Sequence, residues 1–215
     1  SATFTVRGAG ADIWGAADAL HFVSQPISGD VDVVARVTSV EYVHAWVKAG
    51  VMIREHLTSG SAHALMLVSP GKGLAFQRRV ANGGLSTSTG QAGAAPAWVK
   101  LEGRGATIRA LTSSDGANWT LLSSDTFSMG SDVHVGLAVS SHDASRAATA
   151  MFQNVTVTAV SAPPPPPPSL PAPWQAQDIG AVGAQGGSSA SGGTFTIRGA
   201  GADIWGSSDA FRYVW

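Results

Sequence analysis

The chain has 215 residues, 13% of them charged, a formal net charge of −1 and no cysteine. Charge so sparse and so balanced excludes the concentrated basic surface that nucleic acid requires and the polybasic segment that anchors a chain to a membrane. The lack of Cys excludes disulfides and thiolate metal sites, and no run of 18 apolar residues offers a transmembrane helix.

The first element, TFTVRGAGADIWG (Thr3 to Gly15), reads as an early strand followed by a glycine-bounded turn. Gly8, Gly10 and Gly15 do not follow phosphate-loop spacing and no helix follows, so it is not a nucleotide cradle. Apolar–polar alternation then marks strands at 31–40, 49–56, 62–69, 73–80, 97–104, 106–114, 133–141 and 148–160. Turn signals separate them, among them SPGKG (69–73), ANGG (81–84), SSDGANW (113–119) and SHDASR (141–146). Gly, Ala, Ser, Thr and Val dominate and no segment has a 3.6-residue period, so residues 1–160 are expected to form an all-β, antiparallel β-sandwich of jelly-roll type.

A proline run follows, SAPPPPPPSLPAP (161–173). It is expected to form a polyproline II spacer of roughly 30–35 Å between modules. Residues 174–215 then hold a near-copy of the start. Thr194–Val214 matches Thr3–Val23 at 15 of 21 positions with a constant offset of 191 residues, which indicates duplication. Nothing equivalent to Trp174–Gly193 precedes the first copy, so the chain reads as a tandem array cut out of phase, with an incomplete first module and the opening strands of a second. The two copies would occupy the same place in one module. The sequence leaves three possibilities: a window on a longer array, a tail that completes the sheet in cis, or a tail that completes a neighbouring chain head-to-tail.

Several runs together carry a family resemblance: AGVMIREHLTSGSAHALMLVSPGKGLAFQRR (49–79), WVKLEGRGATIRALTSSDGANWTLLSSDTFSM (98–129), VHVGLAVSSH (133–142), FQNVTV (152–157) and GADIWG…DALHFV. They resemble the concanavalin A-like jelly-roll modules appended to bacterial secreted glycoside hydrolases. That resemblance implies the sandwich fold, an extracellular or cell-surface location and an accessory role.

Cleaving a glycosidic bond takes two facing carboxylates. The three glutamates, Glu41, Glu55 and Glu102, form no ExDxxE-like strand, and no GxSxG elbow is present, so the expectation is not an enzyme. Binding a polysaccharide takes an aromatic platform ringed by polar groups. EYVHAW, read as a strand, places Tyr42, His44 and Trp46 on one face, and Trp14 sits in a glycine-bounded loop. Trp98 is expected in the core and Trp119 at a hairpin end. On neighbouring strands Arg54, Gln77, Arg79 and Lys100 point away from the apolar positions, either as a ligand-binding ladder or as a solvated face. Asp12, Asp18 and Asp143 are the candidates for a structural calcium; the competing reading has Asp12 capping its own turn. No other cofactor is expected. The leading function is a non-catalytic glycan-binding module, with a self-associating fibre or adhesin repeat as the alternative.

Overall fold

A computed structural model describes residues 2–160 and 170–215. The chain divides into two compact units, Ser1–Ser161 and Ala162–Trp215. The proline run at 163–168, and with it the spacer expected there, lies outside the described residues. Among the described residues there are twenty strands and no helix, hence no helix long and apolar enough to cross a membrane.

The first unit holds β1 (Thr3–Gly10), β2 (Ile13–Trp14), β3 (Ala17–Asp18), β4 (His21–Ser28), β5 (Val31–Val40), β6 (Lys48–Arg54) and β7 (His63–Ser69). It continues with β8 (Gly73–Arg79), β9 (Thr87–Gln91), β10 (Ala97–Arg104), β11 (Thr107–Ser113), β12 (Thr120–Thr126), β13 (Asp132–Ser140) and β14 (Asp143–Ala159). Two six-stranded antiparallel sheets result, in the orders β1-β14-β5-β10-β11-β12 and β4-β13-β6-β7-β8-β9. The all-β sandwich expected from alternation is what the chain adopts. In this unit β2, β3, β4, β9 and β12 are additions to the strands read from sequence.

The alternating positions explain the layers. On β5, Val31, Val33, Ala35 and Val37 point inward, and on β10 so do Val99 and Leu101. They meet Val51, Ile53, Met66, Val68 and Phe76 from the second sheet. Burial of this apolar surface is the main drive for closing the sandwich. The outer face of the first sheet is charged: Lys100 pairs with Glu102 at 2.7 Å, Arg104 with Asp32 at 2.7 Å and Arg109 with Glu102 at 2.7 Å. Lys100 therefore does not share a face with Arg54, Gln77 and Arg79, which belong to the second sheet.

The second sheet is covered on both faces at β6 and β7, all of whose residues are buried. The cover is the β2–β3 hairpin, folded over the outer face. Its Ile13 is fully buried in a second small core with Met52, Leu65, Leu67 and Ala138.

The second unit holds β15 (Ala176–Ile179), β16 (Gly187–Ser191), β17 (Thr194–Arg198), β18 (Ile204–Trp205), β19 (Ser208–Asp209) and β20 (Phe211–Val214). β15 pairs with β20, β16 with β17 and β18 with β19.

Candidate functional site

The β2–β3 hairpin is held at two points. At its far end Asp18 is buried and takes a two-pronged guanidinium from Arg79, with Nη1 to Oδ2 at 2.7 Å and Nη2 to Oδ1 at 2.6 Å. Arg54 Nη2 lies 3.5 Å and His63 Nδ1 3.4 Å from the same carboxylate. Arg79 also donates to the Gly15, Ser59, Ser61 and Gly84 carbonyls, so its donors are spent on fixing the backbone around it. Burial drives the His63 imidazole down to about 4, and the Arg79 and Arg54 guanidiniums add to that against the pull of Asp18. At the near end Lys48 Nζ donates to the Ile13 carbonyl at 2.8 Å and pairs with Asp12 at 2.7 Å. Gln77 Nε2 donates to the same carbonyl. Burial pulls the Lys48 ammonium below its ordinary value, opposed by Asp12.

Beside this near end opens a cavity of about 550 Å³. Its floor is the outer face of the second sheet, with Lys48 of β6, Leu67 of β7 and Gln77 of β8. Trp14 from the hairpin and Trp46 from the 41–47 loop form its walls, each 46% exposed. An ammonium accompanies each ring: Lys48 Nζ is 5.3 Å from the Trp14 centroid and Lys72 Nζ 4.6 Å from that of Trp46. Behind Trp46 the His44 ring stacks on His142 at 4.4 Å, and His142 Nδ1 lies 3.3 Å from Asp12. His44 Nδ1 accepts from the Trp46 backbone N–H at 3.1 Å, which fixes the turn that carries the ring.

No family model matches the chain. Neither does any curated protein. Solved structures do. A functionally unknown protein from Saccharomyces cerevisiae is 20% identical, with a TM-score of 0.59 over 74% of this chain and 89% of its own. A carbohydrate-binding module, CBM66 from Bacillus subtilis, is 21% identical, with a TM-score of 0.48 over 73% of this chain and 95% of its own. A GH43 protein from Bacillus licheniformis is 16% identical, with a TM-score of 0.46, and the match spans 57% of this chain but 26% of that one. At such identities the likeness to the yeast protein is one of fold, a β-sandwich.

The sequence candidates separate into two groups. Trp14, Trp46 and Gln77 meet at the cavity, and His44 supports it from behind. Arg54 and Arg79 do not line it: both are buried in the Asp18 cluster at the far end of the hairpin. The strand expected at 42–46 is a turn, with the Val47 N–H bonded to the His44 carbonyl, so Tyr42 stands apart, 64% exposed. Trp98 is half-buried on the outer face of the first sheet rather than in the core, edge-on to Trp119 at 6.5 Å. The calcium candidates sit in separate settings: Asp12 with Lys48, Asp18 with Arg79, and Asp143 with the Ser145 hydroxyl and N–H. Among the described residues no group of three or more His, Cys, Asp or Glu is placed to hold a metal ion. Sequence reasoning missed Lys48, Lys72 and His142. Lys48 lies one residue before the strand read at 49–56, and its position beside Trp14 depends on a hairpin more than thirty residues earlier.

Proposed function

We propose that the first unit is a non-catalytic carbohydrate-binding module of the concanavalin A-like kind, acting outside the cell. Its site is the cavity between Trp14 and Trp46. The observation that carries this reading is the pair of half-exposed indoles walling a cavity whose floor bears Lys48 and Gln77. Indole faces take the C–H face of a pyranose, while the exposed Lys72 ammonium offers donors to its hydroxyls and the buried Lys48 and Gln77, bonded to the Ile13 carbonyl, make a polar floor. The volume lies within the usual range for small-ligand sites, about 300–1,000 Å³. Binding rather than cleavage is supported by the acids: Asp12 is the carboxylate among the lining residues and is tied to Lys48, whereas glycosidases place two across the bond.

Screening the chain on a glycan array, then measuring the best ligand by calorimetry, tests the proposal. Trp46→Ala and Trp14→Ala should each raise Kd about tenfold or more, roughly 1.4 kcal/mol. Tyr42→Ala should leave it unchanged. No binding to any glycan, or full affinity in both tryptophan variants, overturns the reading. A second reading, a fibre or adhesin repeat that joins copies head-to-tail, is favoured by the exposed apolar side chains of the repeated segment in the second unit, Ile197 and Ile204.

A further inference from the structure

The two copies of the repeat fold alike but are not packed alike. The hairpins share one register: Ile13 opposite Asp18 and Trp14 opposite Ala17, then Ile204 opposite Asp209 and Trp205 opposite Ser208. Both need glycine at the same close approach, where a Cβ on Gly10 would lie 1.9 Å from the Ala19 carbonyl oxygen and one on Gly201 1.7 Å from that of Ala210. Burial differs. Val6 and Ile13 are 4% and 0% exposed, whereas their counterparts Ile197 and Ile204 are 52% and 60% exposed. Asp18 is buried in its cluster, whereas Asp209 is exposed.

The second copy nevertheless keeps what the first uses to dock. Gly8, Gly10, Ile13 and Asp18 are buried in the first and unchanged in the second, and Val6 becomes the apolar Ile197. The other differences, at 16, 17, 20, 21 and 22, fall on exposed or half-buried positions. The surface that buries the first copy is built by β13, β14 and the Arg79 cluster.

We infer that residues 194–214 are a second plug for that surface, and that the partner they fit is the first unit of another copy of this chain. There they displace β1–β4, with β17 against β14, β20 against β13, and Asp209 on Arg79. The exchange carries two strands that the resident plug lacks. β1 and β4 are edge strands, each bonded on one side among the described residues. β16 and β15 are already paired to β17 and β20, with Ser189 opposite Thr196 and Gln177 opposite Tyr213. They arrive as the next strand of each sheet. Arg212 replaces His21 and reaches both: Nη1 lies 3.3 Å from Asp178 of β15, and Nε donates to Ser188 of β16 at 3.0 Å. Trp174 packs on Phe195 at 4.9 Å. Docking buries Ile197 and Ile204 as it releases Val6 and Ile13, so those terms offset one another, and the added strands β15 and β16, which can pack face to face as a further layer pair, favour the exchange. The contact is heterologous, so it extends from copy to copy unless two chains close reciprocally.

The inference rests on the second, self-associating reading and needs no glycan, since the exchange puts Trp205 in the place of Trp14. It is tested by light scattering after size exclusion of the full chain, Asp18→Ala and the double variant Asp18→Ala/Asp209→Ala, each held at high concentration. Asp18→Ala weakens the resident plug alone and should shift to at least twice the chain mass; the double variant should lose that shift. Equal mass distributions for the two variants overturn the inference. So does a monomeric Asp18→Ala that is more stable than the double variant, because the second plug then docks within its own chain. A second measurement avoids destabilising the fold. Arg7, the counterpart of Arg198, lies opposite Thr149, and the chain has no cysteine of its own. Thr149→Cys mixed with Arg198→Cys under mild oxidation should yield the mixed disulfide dimer, and its absence overturns the inference.

Discussion

Asp18, Arg79, Arg54 and His63 form a buried group in which one carboxylate faces two guanidiniums. A proton on His63 would add a third cation where water cannot screen it, which is why burial and its neighbours hold the imidazole down at about 4. The unfolded chain takes that proton near the ordinary histidine value, so between about 6.5 and about 4 the unfolded state binds more protons than the folded one. Stability therefore falls as pH drops through that window, by roughly 3 kcal/mol from this residue, and loses nothing further to it below the window. Urea unfolding near pH 7 and again near pH 4.5 measures the drop. His63→Gln should show a drop smaller by roughly 2 kcal/mol, since pH 4.5 stops short of the end of the window; an identical drop in both proteins sinks the assignment. Alternation correctly put Gln77 and Arg79 on one face. It gave no sign that a hairpin more than sixty residues earlier covers Arg79, and burial turns a candidate ligand donor into a clamp. The sign that existed was the repeat, which keeps Asp18 as Asp209.

The β2–β3 hairpin supplies Trp14 to the cavity and Ile13 and Asp18 to the covered face, so its entry point controls the site. That entry is Gly10, whose backbone runs against Ala19. Gly10→Ala forces a side chain into a carbonyl oxygen and should cost about 2–3 kcal/mol in urea unfolding. It should also weaken glycan binding, because Trp14 moves with the hairpin; unchanged stability and binding would show that the hairpin is not fixed there. The strands with clean alternation, β5 and β10 above all, were legible because one face meets the core and the other meets solvent. β9 was not: TSTGQ has no apolar member and is mostly exposed, so its place comes from pairing with β8 alone. EYVHAW carries alternating aromatic and apolar residues, yet the backbone turns there. The period matched a strand, but after Glu41, whose N–H bonds the Thr149 carbonyl of β14, the backbone bonds within its own turn and to the β7–β8 turn, with Val47 N–H on the His44 carbonyl and Gly71 N–H on that of Ala45.

At the scale of the whole molecule, the members of both apolar cores among the described residues belong to the first unit. Their buried members run from Val6 to Phe152, and the residues packed against them reach Val157. The cavity residues also lie within this unit, between Asp12 and His142. The chain divides into its two compact units between Ser161 and Ala162. What the sequence could not convey is that the first unit closes its core with its own copy of the repeat, since the two copies are nearly interchangeable as text. A chain ending at Val160 should therefore fold with a Tm within about 2 °C of the full chain at low concentration, because it keeps the described members of both cores. Its glycan Kd should be unchanged. At high concentration the two should part: the full chain gains mass through its second plug, while the shortened chain stays monomeric. A Tm loss above about 5 °C at low concentration, equivalent to more than 1 kcal/mol, would mean that residues 162–215 stabilise the first unit of their own chain. That result would count against the second copy as a plug for another molecule.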